Sequence, residues 1–212
     1  QRAGYAAVSG HGAELFRPFM DDPFLITILR EHITLFLSQF YYLKNTIDAG
    51  FYEELKEMES LEDYIPFAIE NGQDNLMTRY LSGEVQYLAN PSIPVQNMDL
   101  YGPDLLEKAV SALHEYDAVI DLADFDAGVF ALAKKLNWNY IPLYRQKNRN
   151  KMNPGLSGLS SSLKSRLEIL LRFDLALYSK FQYGKIAVSQ TINRNSSGFR
   201  WFKLRQKVLG KL

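Results

Sequence analysis

Phe24–Lys44 reads FLITILREHITLFLSQFYYLK, and a change of rhythm inside it decides the fold. Phe24–Leu29 is an unbroken apolar run of strand length, the pattern of a strand covered on both faces. Arg30 and Glu31 follow at once. From Ile33 the apolar spacing turns helical, with Ile33, Phe36, Leu37, Phe40 and Tyr41 on one side. A strand running straight into a helix puts Arg30 at the strand's carboxyl end, beside the helix N-terminus. Free backbone N–H groups and the helix dipole favour an anion there, and arginine can hold a phosphate through two parallel hydrogen bonds. Ser38 lies about two turns further on, within ~80° of the same face. Arg30 and Ser38 therefore read as a candidate phosphate grip. The plain alternative is an arginine solvated or ion-paired at a strand end.

Upstream, Tyr5–Val8 reads as a short strand and Ser9-Gly10-His11-Gly12 as a sharp turn that leaves the imidazole uncovered. Downstream, Ser60-Leu61-Glu62-Asp63 resembles a capping box, with Gly72 as a helix stop and Pro66 predicting a kink or late start. Residues Glu84 to Pro103 hold three prolines and read as loop. A helix from Asp104 to His114, a strand Ala118–Leu122, a helix Asp126 to Leu136 and a strand Ile141–Tyr144 follow. That alternation predicts a parallel sheet with right-handed crossovers. Leu163 to Phe181 reads as one long helix. Phe199–Leu212 (FRWFKLRQKVLGKL) is basic and amphipathic, suited to docking on its own domain or to lying on an anionic membrane.

Two strings resemble those of sulfotransferases that use 3′-phosphoadenosine 5′-phosphosulfate. Their 3′-phosphate segment runs roughly Leu-Arg-(Asp/Glu)-Pro-x-x-Arg-(Phe/Tyr)-Leu-Ser-x-(Phe/Tyr). Leu29, Arg30, Glu31, Phe36, Leu37, Ser38, Phe40 and Tyr41 match it in register, while His32 replaces Pro and Leu35 replaces Arg. The second string, Asn75 to Gly83 (NLMTRYLSG), is similar to a segment beside the acceptor cleft of the saccharide-modifying branches. Phe173–Tyr178 resembles a structural helix of the family.

The resemblance implies a three-layer α/β/α domain over residues 1–212, of the nucleotide-kinase-like, P-loop type with a mainly parallel sheet. It implies transfer of a sulfuryl group from 3′-phosphoadenosine 5′-phosphosulfate to a hydroxyl of a saccharide or glycolipid, without a metal. Arg30 and Ser38 would hold the 3′-phosphate of this co-substrate, and His11 would be the catalytic base. Asn75 and Arg79 would face the acceptor, although Arg79 is equally readable as ion-paired internally with Asp74 or Glu84. Arg149 or Lys151, in a basic loop, would close over the nucleotide. The family's phosphosulfate loop, a glycine-rich turn with Lys and then Ser or Thr, follows no strand here. The expectation is that this first strand–loop–helix unit lies upstream of Gln1.

Composition bounds these readings. Lysine plus arginine equals aspartate plus glutamate, 24 of each, so no overall field favours nucleic acid. Beyond Asp174 no acidic residue occurs while basic residues recur, which points to an anionic partner near the C-terminal quarter. Cysteine is absent, which excludes disulfides and thiolate metal sites and favours a reducing, cytoplasmic setting or a bacterial source. A non-catalytic module for anionic glycans or membrane surfaces is the alternative to the enzyme.

Overall fold

The computed structural model describes residues 20–85, 93–139, 143–144, 155–183 and 192–209. Within them the chain is mixed α/β: a small parallel sheet of β1 (Ile26–Leu29) and β2 (Ala118–Asp121) among helices. The helices are α1 (His32–Asn45), α2 (Tyr52–Leu55), α3 (Leu61–Glu70), α4 (Leu76–Ser82), α5 (Met98–His114), α6 (Phe125–Lys135), α7 (Ser161–Leu170), α8 (Arg172–Tyr183) and α9 (Ser197–Leu209). None of the described helices is long and apolar enough to cross a membrane.

Ile26 pairs with Ala118 and Leu29 with Asp121, so the two strands end level. β1 leads into α1 through Arg30 and Glu31. β2 leads into α6 through a short 3-10 turn in which the Asp121 side chain accepts from the Ala123 amide at 2.9 Å. Side chains alternate across β2. Val119 packs into a cluster with Leu29, Ala109, Leu113 and Leu177, drawn from β1, α5 and α8. Ala118 and Ile120 pack the other way, onto Leu132 of α6. β2 is thus buried on both faces, as its apolar run demands.

β1 departs from that pattern. Leu29 is buried, but Ile26 and Ile28 are 41% and 48% exposed. The face that α6 covers on β2 is left open on β1, so the expected two-sided cover holds only for the neighbouring strand. α6 lies close to the sheet at Gly128, where a Cβ would stand 2.4 Å from Cγ2 of Ile120.

Elsewhere local chemistry sets the boundaries. Ser60 and Asp63 form the expected capping box, and α3 continues through the exposed Pro66. α5 begins at Met98, earlier than Asp104, because the Asn97 side chain accepts from the Asp99 amide at 2.7 Å; Pro103 sits inside the helix, facing solvent. The long helix expected over Leu163–Phe181 is two, α7 and α8, separated at Leu171. Of Ile141–Tyr144 only Leu143 and Tyr144 are described, and these two carry no strand. Tyr5–Val8 lies outside the described residues.

Candidate functional site

The sheet's carboxyl end carries Arg30, and α1 rises from it. Arg30 stands just before the helix cap, and Thr34 and Ser38 follow at four-residue spacing, one turn apart on the helix surface. Arg30 Nε donates to Thr34 Oγ1 at 3.3 Å, and that hydroxyl donates in turn to the Glu31 carbonyl at 2.9 Å. The threonine thereby ties the guanidinium to the first turn of the helix. The terminal nitrogens of Arg30 and the hydroxyl of Ser38 have no hydrogen-bond partner among the described residues, and both residues are half-buried. Burial pushes the Arg30 pKa down from its ordinary value, with Glu31 opposing the shift. Arginine nonetheless stays cationic at neutral pH.

One expectation needs correction. The α1 amides are not free, because the Glu31 carboxylate caps them, accepting from Ile33 N at 3.1 Å and Thr34 N at 2.8 Å. Its own anion therefore occupies the position that helix and dipole offer to a ligand. What remains for a phosphate is the side chains of Arg30, Thr34 and Ser38. His32, the first helical residue, is buried with its Nδ1 3.0 Å from Glu31 Oε1, and burial pushes its pKa down against the pull of Glu31 and Glu168.

Asn75 and Arg79, expected to face an acceptor, lie in the interior at 0% and 1% exposure. Arg79 NH2 meets Asp74 Oδ1 at 2.7 Å and NH1 meets Glu84 Oε2 at 2.9 Å. Its Nε also donates to the Asp74 carbonyl at 2.9 Å and Nη1 to the Gln96 carbonyl at 3.1 Å. Burial alone would lower its pKa, but Asp74 and Glu84 together raise it above the ordinary value. This is the internal ion pair, so the acceptor-facing role is set aside for both residues.

Asn75 is likewise committed. Its Oδ1 accepts from the amides of Phe173 and Asp174 in the first turn of α8, and its Nδ2 donates to Leu170 O at 2.8 Å. Asp174 returns the arrangement, accepting from Met77 N, Thr78 N and Thr78 Oγ1 in the first turn of α4. Burial pushes the Asp174 carboxyl up to about 6, although the bonds from Thr78 and Met77 pull the other way.

At the end of β2, Asp121 also accepts from the Tyr178 hydroxyl at 2.9 Å, which ties the strand end to α8. His11, Arg149 and Lys151 lie outside the described residues. α9 docks by Phe199 and Phe202 against Phe130 of α6, while Trp201, Leu204 and Val208 stay exposed between basic residues. Comparison with family models, with curated proteins and with solved structures found no match for this chain. Thr34 is the site residue that sequence reasoning missed. Its position midway between Arg30 and Ser38, four residues from each, was the available signal.

Proposed function

We propose that this chain is a sulfotransferase that binds 3′-phosphoadenosine 5′-phosphosulfate and transfers its sulfuryl group to a hydroxyl of a saccharide or glycolipid. The observation that carries this reading is the set of Arg30, Thr34 and Ser38 following the carboxyl end of a parallel strand, with the terminal guanidinium nitrogens and the Ser38 hydroxyl unpartnered among the described residues. In open α/β sheets that end is where ligands gather. Arg30 and Ser38 hold the 3′-phosphate and so fix the sulfur for in-line attack. Because Glu31 caps the helix amides, binding leans on side chains more than on the helix dipole.

In this scheme His11 takes the proton as the acceptor oxygen bonds to sulfur, and the sulfur–phosphate oxygen bond breaks to release adenosine 3′,5′-bisphosphate. The three-layer, P-loop-type architecture belongs to the same reading.

Titration calorimetry with adenosine 3′,5′-bisphosphate, with and without Mg²⁺, tests the proposal. The expected result is saturable, Mg²⁺-independent binding that adenosine 5′-monophosphate does not reproduce, since it lacks the 3′-phosphate. Absence of binding, or equal affinity for the two nucleotides, removes the basis for it.

A further inference from the structure

The C-terminal end of α6 and the outer side of α9 enclose a groove of about 620 Å³. That volume falls within the roughly 300–1,000 Å³ typical of small-molecule sites. Both tryptophans of the chain line it, Trp138 at 44% and Trp201 at 59% exposure. Around them stand Asn137, Asn139, Lys134 and Arg205, with no acidic residue among the described residues of the lining.

The local backbone explains how the first indole is presented. Asn137 adopts a left-handed conformation (φ 50°) just past α6. Its amide donates to Lys134 O, and the Trp138 amide donates to Ala133 O at 2.9 Å. This pair of bonds is a Schellman motif, which closes the helix and fixes the backbone at Trp138. From α9, Arg205 lies over the Trp201 ring at 4.5 Å. The carboxamides of Asn137 and Asn139 have no hydrogen-bond partner among the described residues.

From this combination we infer that the groove is a binding site for an anionic saccharide. Indole faces are electron-rich and stack against the C–H faces of pyranose rings. The carboxamides of Asn137 and Asn139 offer both donors and acceptors to hydroxyl pairs. Arg205 and Lys134 supply the cations for a sulfate or carboxylate substituent, Arg205 through a planar fork that fits either group. A bilayer is the poorer fit, since a helix lying on lipid presents one continuous apolar face, whereas here the indoles share a concavity with amides and cations. The groove sits at the far end of α6 from the sheet's carboxyl edge, about 16 Å away along the 11-residue helix. It stands independently of the nucleotide site, and it lets a long glycan be held at a distance from that site.

Because the only two tryptophans line the groove, the intrinsic indole emission of the unaltered chain reports on it directly. A chondroitin sulfate hexasaccharide is expected to shift or quench that emission saturably. Neutral cellohexaose should bind at least about tenfold more weakly, and raised salt should weaken only the anionic ligand. Arg205→Ala should cost about tenfold in affinity, while Trp201→Phe, which keeps a ring, should retain binding with reduced signal. No saturable response to the sulfated hexasaccharide, or an equal response to cellohexaose, overturns the inference. So does a response confined to phosphatidylglycerol vesicles, which would make α9 a membrane-contact helix instead.

Discussion

Asn75 and Asp174 cap each other's helices across 99 residues of sequence. The Asn75 carboxamide accepts from the first turn of α8, and the Asp174 carboxylate accepts from the first turn of α4. Both groups are buried, so neither set of amides can turn to water instead. Asn75→Ala should therefore cost about 2–3 kcal/mol, more than a surface cap, because it leaves buried donors bare. The double variant with Asp174→Ala should cost clearly less than the sum of the singles. Urea denaturation of the four proteins measures this coupling, and strict additivity would show that the two caps are independent.

Arg79 supplies a second prediction. Replacing it with Leu strands Asp74 and Glu84, and breaking a buried pair in this way costs roughly 3–5 kcal/mol. Arg79→Lys should not restore the loss, since one ammonium cannot reach two carboxylates and two carbonyls together. Thermal unfolding should show a clear fall in Tm for both. A variant as stable as the parent but altered in acceptor affinity would instead return Arg79 to the binding site.

Acid should act on this fold in two opposing ways. His32 has its pKa lowered by burial, so below about 6.5 the unfolded chain takes up a proton that the native imidazole resists. Stability from His32 is thus lost as pH falls below that point. Asp174, pushed up to about 6, works in reverse. Between pH 6 and about 4 the native carboxyl holds a proton that the unfolded chain has released, so its contribution to stability grows on acidification. In urea titrations across this range, His32→Gln should lessen the acid loss and Asp174→Asn should remove the acid gain. Parallel pH profiles for both variants and the parent would contradict the assignment.

Gly128 tests close packing against helix propensity. In a helix interior, Gly→Ala ordinarily gains up to about 1 kcal/mol. Here the new methyl would meet Ile120, a stiff β-branched residue on the strand, at 2.4 Å. Overpacking of this kind costs roughly 1–3 kcal/mol, so Gly128→Ala should be neutral to destabilising. Gly50→Ala, with nothing within 4 Å, is the control. A rise in Tm for Gly128→Ala would mean that α6 stands further from the sheet.

The nucleotide site makes its own quantitative claim. Arg30→Ala should weaken adenosine 3′,5′-bisphosphate by about 1.5–3 kcal/mol, or roughly ten- to a hundredfold, the value of a charge-assisted hydrogen bond. Ser38→Ala should cost less than about tenfold, since its bond is neutral on the protein side. Thr34→Val should fall between, because it releases the guanidinium without removing it. Unchanged calorimetric affinity in Arg30→Ala would dissolve the phosphate grip.

Local signals in the sequence located much of this architecture. The switch from an apolar run to helical spacing found β1 and α1, and Ser60 with Asp63 located α3. What failed was non-local. Pro103 and Gly102 read as loop because nothing nearby announces that Asn97 caps α5 and that Phe173 fills the space beside Gly102. The break at Leu171 is invisible in an apolar pattern that runs through it, since the cap for α8 comes from Asn75. Likewise the string around Asn75 and Arg79 resembles a cleft segment only while Asp174 is out of view. Trp138 lies just past α6 and Trp201 on α9, and no local window could place them in one groove.

β1 has one further consequence. Among the described residues it pairs only with β2, and Ile26 and Ile28 stand exposed along it. In concentrated solution an exposed apolar strand invites a second copy, and turbidity should rise with protein concentration. A lysine at Ile28 is the simplest way to keep samples clear.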